Sequence, residues 1–295
     1  MPSSSTQPLT RAQIDEFKSE GVLTLPDFIE SDQLASWRQQ VTAGLAAAGT
    51  DLQDRSTWPQ EGGYAPVDMQ APLTPAPGEL PQFEALITQL GGGYFAGGGA
   101  QIAPIFPNTD PEKWLLPDSG HVDGYNGIWS GTGANRVGAT FYLNDVAEKG
   151  GCFTYWKGGH RRVHFFFRQH PKDVDGRFTK TSEFEHNSHA YKGGDGQRPF
   201  AGTQHAAKAG TVCLWHGWTP HQASANAADQ PRLCIISRWN DKRFTVPSIK
   251  FGYGEEGGWD SVDEVARRHQ AWDIPEDLFR DWGPELRGSG SGARL

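Results

Sequence analysis

Cysteine is scarce in this chain: its 295 residues include only Cys152, Cys213 and Cys234. The number is odd, the spacing is not that of a ligand set, and each thiol sits among apolar or aromatic neighbours. This argues against a disulfide framework and against a cysteine-based zinc site. Long apolar runs are missing too. No stretch reaches the length that crosses a bilayer, and Met1 to Thr10 is polar and Ser-rich without the apolar segment of a signal peptide. The expectation is a soluble, cytoplasmic protein with no membrane partner. Basic clusters are absent as well: 27 Lys and Arg stand against 35 Asp and Glu, a formal charge of −8. Nucleic acid is therefore not an expected partner. The 37 Gly and 20 Pro follow no repeating period, which excludes collagen-like structure and points to many turns between short strands.

What is present is material for a core. Hydrophobic residues make up 36% of the chain, including 16 Phe, 11 Trp and 7 Tyr, so a sizeable interior can be filled. Thr10 followed by Gln13 reads as a helix start, and Gly21 as its stop. Val22 to Pro26 reads as a strand, and Ser31 or Asp32 as the cap of a second helix ending near Gly49. Residues 50–82 are polar and Pro-rich, and a short helix is expected from Gln82 to Leu90. Beyond the Gly-rich tract Gly91 to Gly99 the pattern changes to brief apolar runs: Gln101–Phe106, Val137–Leu143, Cys152–Trp156, Thr211–Trp215, Gln222–Ala225 and Leu233–Trp239. These read as strands of a jelly roll. The expected organisation is one domain over 1–287. It has a helical region over about 9–90, a mainly β core over about 91–245 with a polar insertion at 171–208, and a disordered tail at 288–295.

His121-Val122-Asp123 places two ligand types two residues apart, so on extended chain both project from one face. With a second histidine they would form the two-histidine, one-carboxylate set that holds iron(II) and leaves coordination positions open. Alone the motif is weak, because ten His and 35 acidic residues yield about one such match by chance. The segment Gly210 to His221 adds weight: it is a strand and turn ending in His221, with Arg232 eleven residues on. If Asn226 to Gln230 joins two adjacent antiparallel strands, Arg232 comes near a metal held by His221. Its planar fork would then match a carboxylate bidentately. His216 is the rival third ligand. Its odd separation from His221 points it to the other face of an extended chain, and His221 gives Arg232 the better register. His160 and His164 fall in or after a basic turn, where a solvated or hydrogen-bonded role is expected. His186, His189 and His205 lie in the insertion and are expected to be exposed. His170 precedes Pro171 and reads as structural, and His269 lies past the core.

In order, Leu9–Phe17, Gly21–Phe28, His121-Val122-Asp123-Gly124, Leu143-Asn144-Asp145, Gly151–Arg161 and His221 with Arg232 resemble the phytanoyl-CoA dioxygenase family of 2-oxoglutarate oxygenases. The resemblance runs from about Leu9 to Asn240. It implies a double-stranded β-helix core. It also implies iron(II) on His121, Asp123 and His221, with 2-oxoglutarate and O2 as co-substrates and Arg232 on the distal carboxylate. Two departures are visible. The family's Pro-Gly-Ser-His turn reads Lys157-Gly158-Gly159-His160, and the small hydroxyl residue two positions after the distal histidine is Ala223, with Ser224 beside it. Gln101 and Thr140 are the candidates for auxiliary cosubstrate contacts. Tyr125, Trp129, Tyr155, Trp156 and Trp218 are candidate walls of a substrate pocket, each of which also reads as core packing.

The implied activity is hydroxylation or desaturation of an unactivated C–H bond in a small organic molecule, with release of succinate and CO2. Asp123 weighs against halogenation because a carboxylate fills the position a halide would need. Two other classes remain in view. A non-catalytic jelly-roll binding protein would not need the triad together with Arg232. A zinc hydrolase on the same ligands would leave Arg232 without a role. The sequence identifies neither the substrate nor the oligomeric state.

Overall fold

The structure, a computed structural model, describes residues 9–59, 63–108, 110–118, 120–123, 136–169, 201–243 and 274–287. Tyr125, Trp129, His170, His186, His189, His269, most of the 171–208 stretch and the 288–295 tail lie outside the described residues.

The chain opens with helix α1 (Arg11–Glu20), started by a reciprocal cap. The Thr10 hydroxyl accepts from the Gln13 amide, and the Gln13 side chain accepts from the Thr10 amide. Gly21, at φ 74°, ends the helix with its N–H on Phe17 O. There follow β1 (Val22–Leu25), α2 (Ser31–Ala47), β2 (Gly63–Tyr64) and α3 (Pro81–Gly91), the last with proline in its first turn, where no amide partner is lost. Glu30, without a side-chain cap bond, occupies the position before α2, so neither Ser31 nor Asp32 caps it. The remaining elements are β3 (Phe95–Gly97), β4 (Gln101–Ile102), β5 (Ile105–Phe106), β6 (Arg136–Tyr142), β7 (Phe153–Tyr155), α4 (Gly159–Gln169), β8 (Thr203–His205), β9 (Val212–His216), β10 (His221–Ala223) and β11 (Cys234–Asp241).

These strands make two facing antiparallel sheets and a small pair. The larger sheet runs β1-β9-β6-β11-β3 with β4 also on β11; the smaller runs β10-β7-β8; β2 pairs β5. Alternation sorts the side chains. Val137, Ala139 and Phe141 of β6, Val212 and Leu214 of β9, and Ile235 and Trp239 of β11 pack with Phe17, Trp37 and Phe83 from the helices. The alternate residues Tyr142, Cys213, Trp215 and Cys234 pack with Phe153 and Tyr155 of the smaller sheet. Because these strands are buried on both faces, they read in sequence as unbroken apolar runs. The result is the expected jelly-roll core with helical additions.

Three expectations are corrected. First, Gln101–Phe106 is two strands in different sheets, divided at Ala103 and Pro104, since proline has no amide to continue a ladder. Second, β10 and β11 are not paired neighbours: β10 pairs β7 while β11 pairs β6, β3 and β4. The connection between them crosses from sheet to sheet. Buried Asn226 holds it, donating to Ile105 O and Gln230 O and accepting from Ala228 N. Third, the basic turn around His160 is the start of α4; of the two roles expected for its histidines the hydrogen-bonded one holds, His160 on Lys18 O and His164 on Pro275 O, and both are buried. His205 is likewise buried in β8, between the hydroxyls of Thr24 (2.8 Å) and Tyr142 (3.0 Å). Thr203–His205, inside the 171–208 stretch, therefore belongs to the smaller sheet.

These buried histidines make the metal-free protein sensitive to acid. Burial lowers His160 to about 3, against the bond to Lys18 O, and lowers His205 to about 4. In the unfolded chain both titrate near 6.5. Below that pH the unfolded state takes up protons that the native state refuses, so stability falls as pH drops from about 6.5 towards the folded values. Urea midpoints of the metal-free protein should decline steadily from pH 7 to pH 4.5, with a shallower decline for His160→Gln. A flat profile would contradict the burial of neutral imidazoles.

Candidate metal centre

His121, Asp123 and His221 converge at one end of the space between the sheets. Their ligand atoms all lie within 4.8 Å of one another, and among the described residues this is the only group of three or more such side chains that could hold one ion. Two backbone ladders bring them together. His121 and His221 exchange amide bonds of 3.0 and 2.8 Å, and Asp123 N donates to Gly217 O at 2.9 Å. The segment 121–123 is thus zipped onto the turn between β9 and β10, which aims both side chains at His221. Gly120 permits the close approach, since a Cβ there would lie 2.8 Å from His221 O and 2.7 Å from the Trp156 ring.

His221 and Asp123 are oriented by partners. His221 Nδ1 lies 2.9 Å from Thr219 O; donation to that carbonyl leaves Nε2 with its lone pair, 3.8 Å from Asp123 Oδ1. Asp123 Oδ2 faces the other way. It accepts from Arg238 Nε at 3.0 Å and from Trp215 Nε1 at 3.4 Å, with Arg136 Nη1 at 4.0 Å. Gly138 makes room for the indole, because a Cβ there would lie 2.0 Å from Trp215 Cε2. Burial would raise the Asp123 carboxyl, but Arg238, His221 and Arg136 overcome it and hold the group well below the usual carboxylate range. Burial lowers His121 to about 3, and His221 repels its proton further. His221 is lowered by burial against the pull of Asp123 and Thr219 O. At neutral pH the set is therefore one carboxylate and two neutral imidazoles, the form a divalent metal binds. Ligand atoms about 2.1 Å from one ion lie at most ~4.2 Å apart, so small side-chain shifts close this cluster around a metal.

His216, the rival ligand, is on the opposite face of β9. Its ring stacks on Trp282 at 4.9 Å, and its Nδ1 accepts from Trp218 N. His216→Gln should keep divalent metal binding at wild-type stoichiometry. His221→Gln should weaken it more than about 100-fold, since even outer partners of a ligand contribute 10–100-fold. Equilibrium dialysis with Ni(II) makes the comparison, and loss of metal in the His216 variant would reverse the assignment.

Arg232 is buried just before β11, on the face shared by Cys234 and Arg238. Its Nη1 donates to Gly151 O at 2.7 Å and its Nη2 to Ala103 O at 3.4 Å, with the Tyr64 side chain alongside. Nε has no partner, and no carboxylate pairs with the guanidinium among the described residues. Thr140, on the inward face of β6, likewise has a buried hydroxyl without a partner. A buried cation without a carboxylate partner and, opposite Ile236 in the β6–β11 ladder, an unsatisfied buried hydroxyl fit an anionic ligand entering the same interior.

Gln101 does not reach Arg232; its Oε1 accepts from Arg238 Nη1 at 3.0 Å. Tyr155 lies opposite His221 in the β7–β10 ladder and faces the interior with Phe153. Trp156 and Trp218 join the core shared with the helices, Trp218 packing on Phe167 and His164. Sequence reasoning missed Arg238, Arg136 and Trp215. The signal for Arg238 was its parity with Arg232, with Cys234 and Ile236 between them on one face.

The fold is the double-stranded β-helix, and it carries a two-histidine, one-carboxylate cluster that could hold a metal ion. Residues 118–234 match the model of the phytanoyl-CoA dioxygenase (PhyH) family. Among solved structures, the chain is similar to HygX from Streptomyces hygroscopicus with nickel and 2-oxoglutarate bound. The two share 15% identity over 87% of this chain and 99% of that one, with a TM-score of 0.53. It is also similar to the non-heme alpha ketoglutarate dependent epimerase SnoN from nogalamycin biosynthesis, at 19% identity over 78% and 82% of the chains and a TM-score of 0.49. None of the curated proteins compared matches the chain. Among the described residues no helix is long and apolar enough to cross a membrane.

Proposed function

We propose that this protein is an iron(II), 2-oxoglutarate-dependent dioxygenase that oxidises an unactivated C–H bond of a small organic molecule. The observation that carries the reading is the pairing of the metal cluster with Arg232, a buried guanidinium lacking any carboxylate partner, in one barrel interior. The net reaction joins O2, 2-oxoglutarate and R–H to give succinate, CO2 and R–OH. HygX, similar in fold, has been crystallised with nickel and 2-oxoglutarate.

His121 Nε2 or Nδ1, Asp123 Oδ1 and His221 Nε2 would hold the metal. Iron(II) bound there supplies the activation of dioxygen and the oxidative decarboxylation that powers C–H cleavage. The protein's own part is placement. Arg238 and Trp215 tie up Asp123 Oδ2, so that Oδ1 would be the oxygen offered to a metal. Arg232 would receive the distal carboxylate of 2-oxoglutarate in a charge-assisted fork, and the unsatisfied Thr140 hydroxyl of β6 would be a further donor to the cosubstrate. Phe153, Tyr155, Trp215 and Ile236 wall the interior and exclude water that would waste the oxidant. Hydroxylation is the outcome favoured over halogenation, because Asp123 fills the halide's position.

Anaerobic addition of iron(II) and 2-oxoglutarate should give a weak visible charge-transfer band, followed in air by substrate-dependent succinate release from a metabolite panel. A metal-loaded protein that shows no band and binds no 2-oxoglutarate would refute the reading.

A further inference from the structure

Asp123 is surrounded by more positive charge than a metal ligand requires. One donor suffices to hold the oxygen that faces away from the metal, and Trp215 Nε1 could serve. Two guanidinium groups are there as well, Arg238 at 3.0 Å and Arg136 at 4.0 Å from the same Oδ2. Asp123 is the only carboxylate paired with either arginine among the described residues. The Arg136 side chain is fixed by Asn240, and Arg238 Nη1 by Gln101. Arg238 Nη2 has no hydrogen-bond partner among the described residues. The Arg238 side chain is 30% exposed and that of Arg136 17%, whereas Asp123 beneath them is 3% exposed. The surplus cations thus lie on the accessible side of the cluster.

The charge balance persists when the site is filled. A divalent metal and dianionic 2-oxoglutarate cancel each other, and Asp123 cancels one of Arg136, Arg238 and Arg232, so among the described residues two positive charges remain. The cosubstrate does not account for them. Arg232 and Arg238 share a face of one strand but stand six residues apart, about 20 Å of chain at ~3.3 Å per residue. A cosubstrate anchored on Arg232 at one end leaves Arg238 to a second molecule at the other.

We infer that Arg238, backed by Arg136, binds an acidic group of the primary substrate, a carboxylate or a phosphate ester, beside the metal. The inference rests on the oxygenase reading above. Two arginine edges presenting donors around a fixed carboxylate suit a planar or tetrahedral oxyanion better than a neutral polar group, and a positively charged mouth gathers anions from solution. Arg238 is then both the positioning residue for Asp123 and the specificity determinant for substrate.

The test uses the full chain loaded with Ni(II) and 2-oxoglutarate, which prevents turnover. The probes are carboxylic acids matched with their primary amides and phosphate monoesters matched with their parent alcohols, followed by ligand-observed NMR. Anions should bind at least about tenfold more tightly than their neutral partners, the size of one charge-assisted bond. Arg238→Gln should abolish that preference and Arg238→Lys should retain part of it, each variant being kept saturated with Ni(II) because loss of the bond to Asp123 Oδ2 weakens the metal. The inference is overturned if no anion outbinds its neutral partner, or if Arg238→Gln keeps the preference. It is also overturned if Arg238→Gln, kept saturated with Ni(II), loses 2-oxoglutarate by as much as Arg232→Met does, which would make Arg238 a cosubstrate ligand. Failure of wild type to bind 2-oxoglutarate at all is a separate result, directed at the oxygenase reading.

Discussion

Arg232→Met is expected to weaken 2-oxoglutarate binding by about two to three orders of magnitude while leaving the metal-free protein as stable as wild type, or more stable. The two effects have opposite signs because they concern different states. In the metal-free protein the guanidinium is buried against Gly151 O and Ala103 O, with Nε unpartnered and no carboxylate opposite among the described residues. Removing the cation leaves those carbonyls without a donor, which costs about 1 kcal/mol each. It also relieves a buried, uncompensated charge whose desolvation costs several kcal/mol. With cosubstrate present the comparison reverses. Breaking one side of a buried ion pair costs about 3–5 kcal/mol, or a factor of hundreds to thousands in affinity. Urea denaturation of the metal-free protein and calorimetric titration of 2-oxoglutarate into the Ni(II) form measure the two terms. Equal loss of nickel and 2-oxoglutarate would remove Arg232 from its assigned role.

That Arg232 could be singled out from sequence, and Arg238 could not, reflects what local pattern encodes. Spacing from His221 drew attention to Arg232, yet the reason given was wrong in detail: β10 and β11 belong to different sheets. The arginine reaches the interior because residues 232, 234, 236 and 238 alternate onto one face, a property of β11 alone. The same alternation carries Arg238 to Asp123, but His121-Val122-Asp123 is more than a hundred residues away in sequence. Nothing local announces that contact. Capping chemistry was legible for α1, where Thr10 and Gln13 form the expected reciprocal bonds. It misled at α2, where no side chain caps the start and packing of Trp37 and Val41 defines the helix. Histidine burial was the least legible feature. His160 and His205 lie in polar sequence, and the interior partners of these two and of His164, which are Lys18 O, Thr24 and Pro275 O, come from distant segments.

Asp123→Ala should abolish metal binding and also destabilise the metal-free protein, by about 3 kcal/mol, the lower end of the range for breaking a buried ion pair. The second effect separates this residue from its fellow ligands. His121 and His221 are neutral at pH 7, since burial holds their pKa values down, so losing either leaves no uncompensated charge. Asp123 is the sole carboxylate between Arg136 and Arg238 among the described residues. Without it two cations stand diagonally on adjacent strands, Arg136 opposite Asn240 and Arg238 opposite Gly138. The partial exposure of Arg238 lets water recover some of the loss, which is why the lower figure applies. Asp123→Asn keeps an acceptor for Arg238 Nε but not the charge, so its destabilisation should be smaller while metal binding is still severely weakened. His121→Ala should lose the metal with little change in metal-free stability beyond its packing. Urea midpoints and Ni(II) dialysis for the three variants test the set together. If Asp123→Ala proved no less stable than His121→Ala, the arginine pair would not be held by Asp123, and the surplus charge assigned to substrate binding would have to be sought elsewhere.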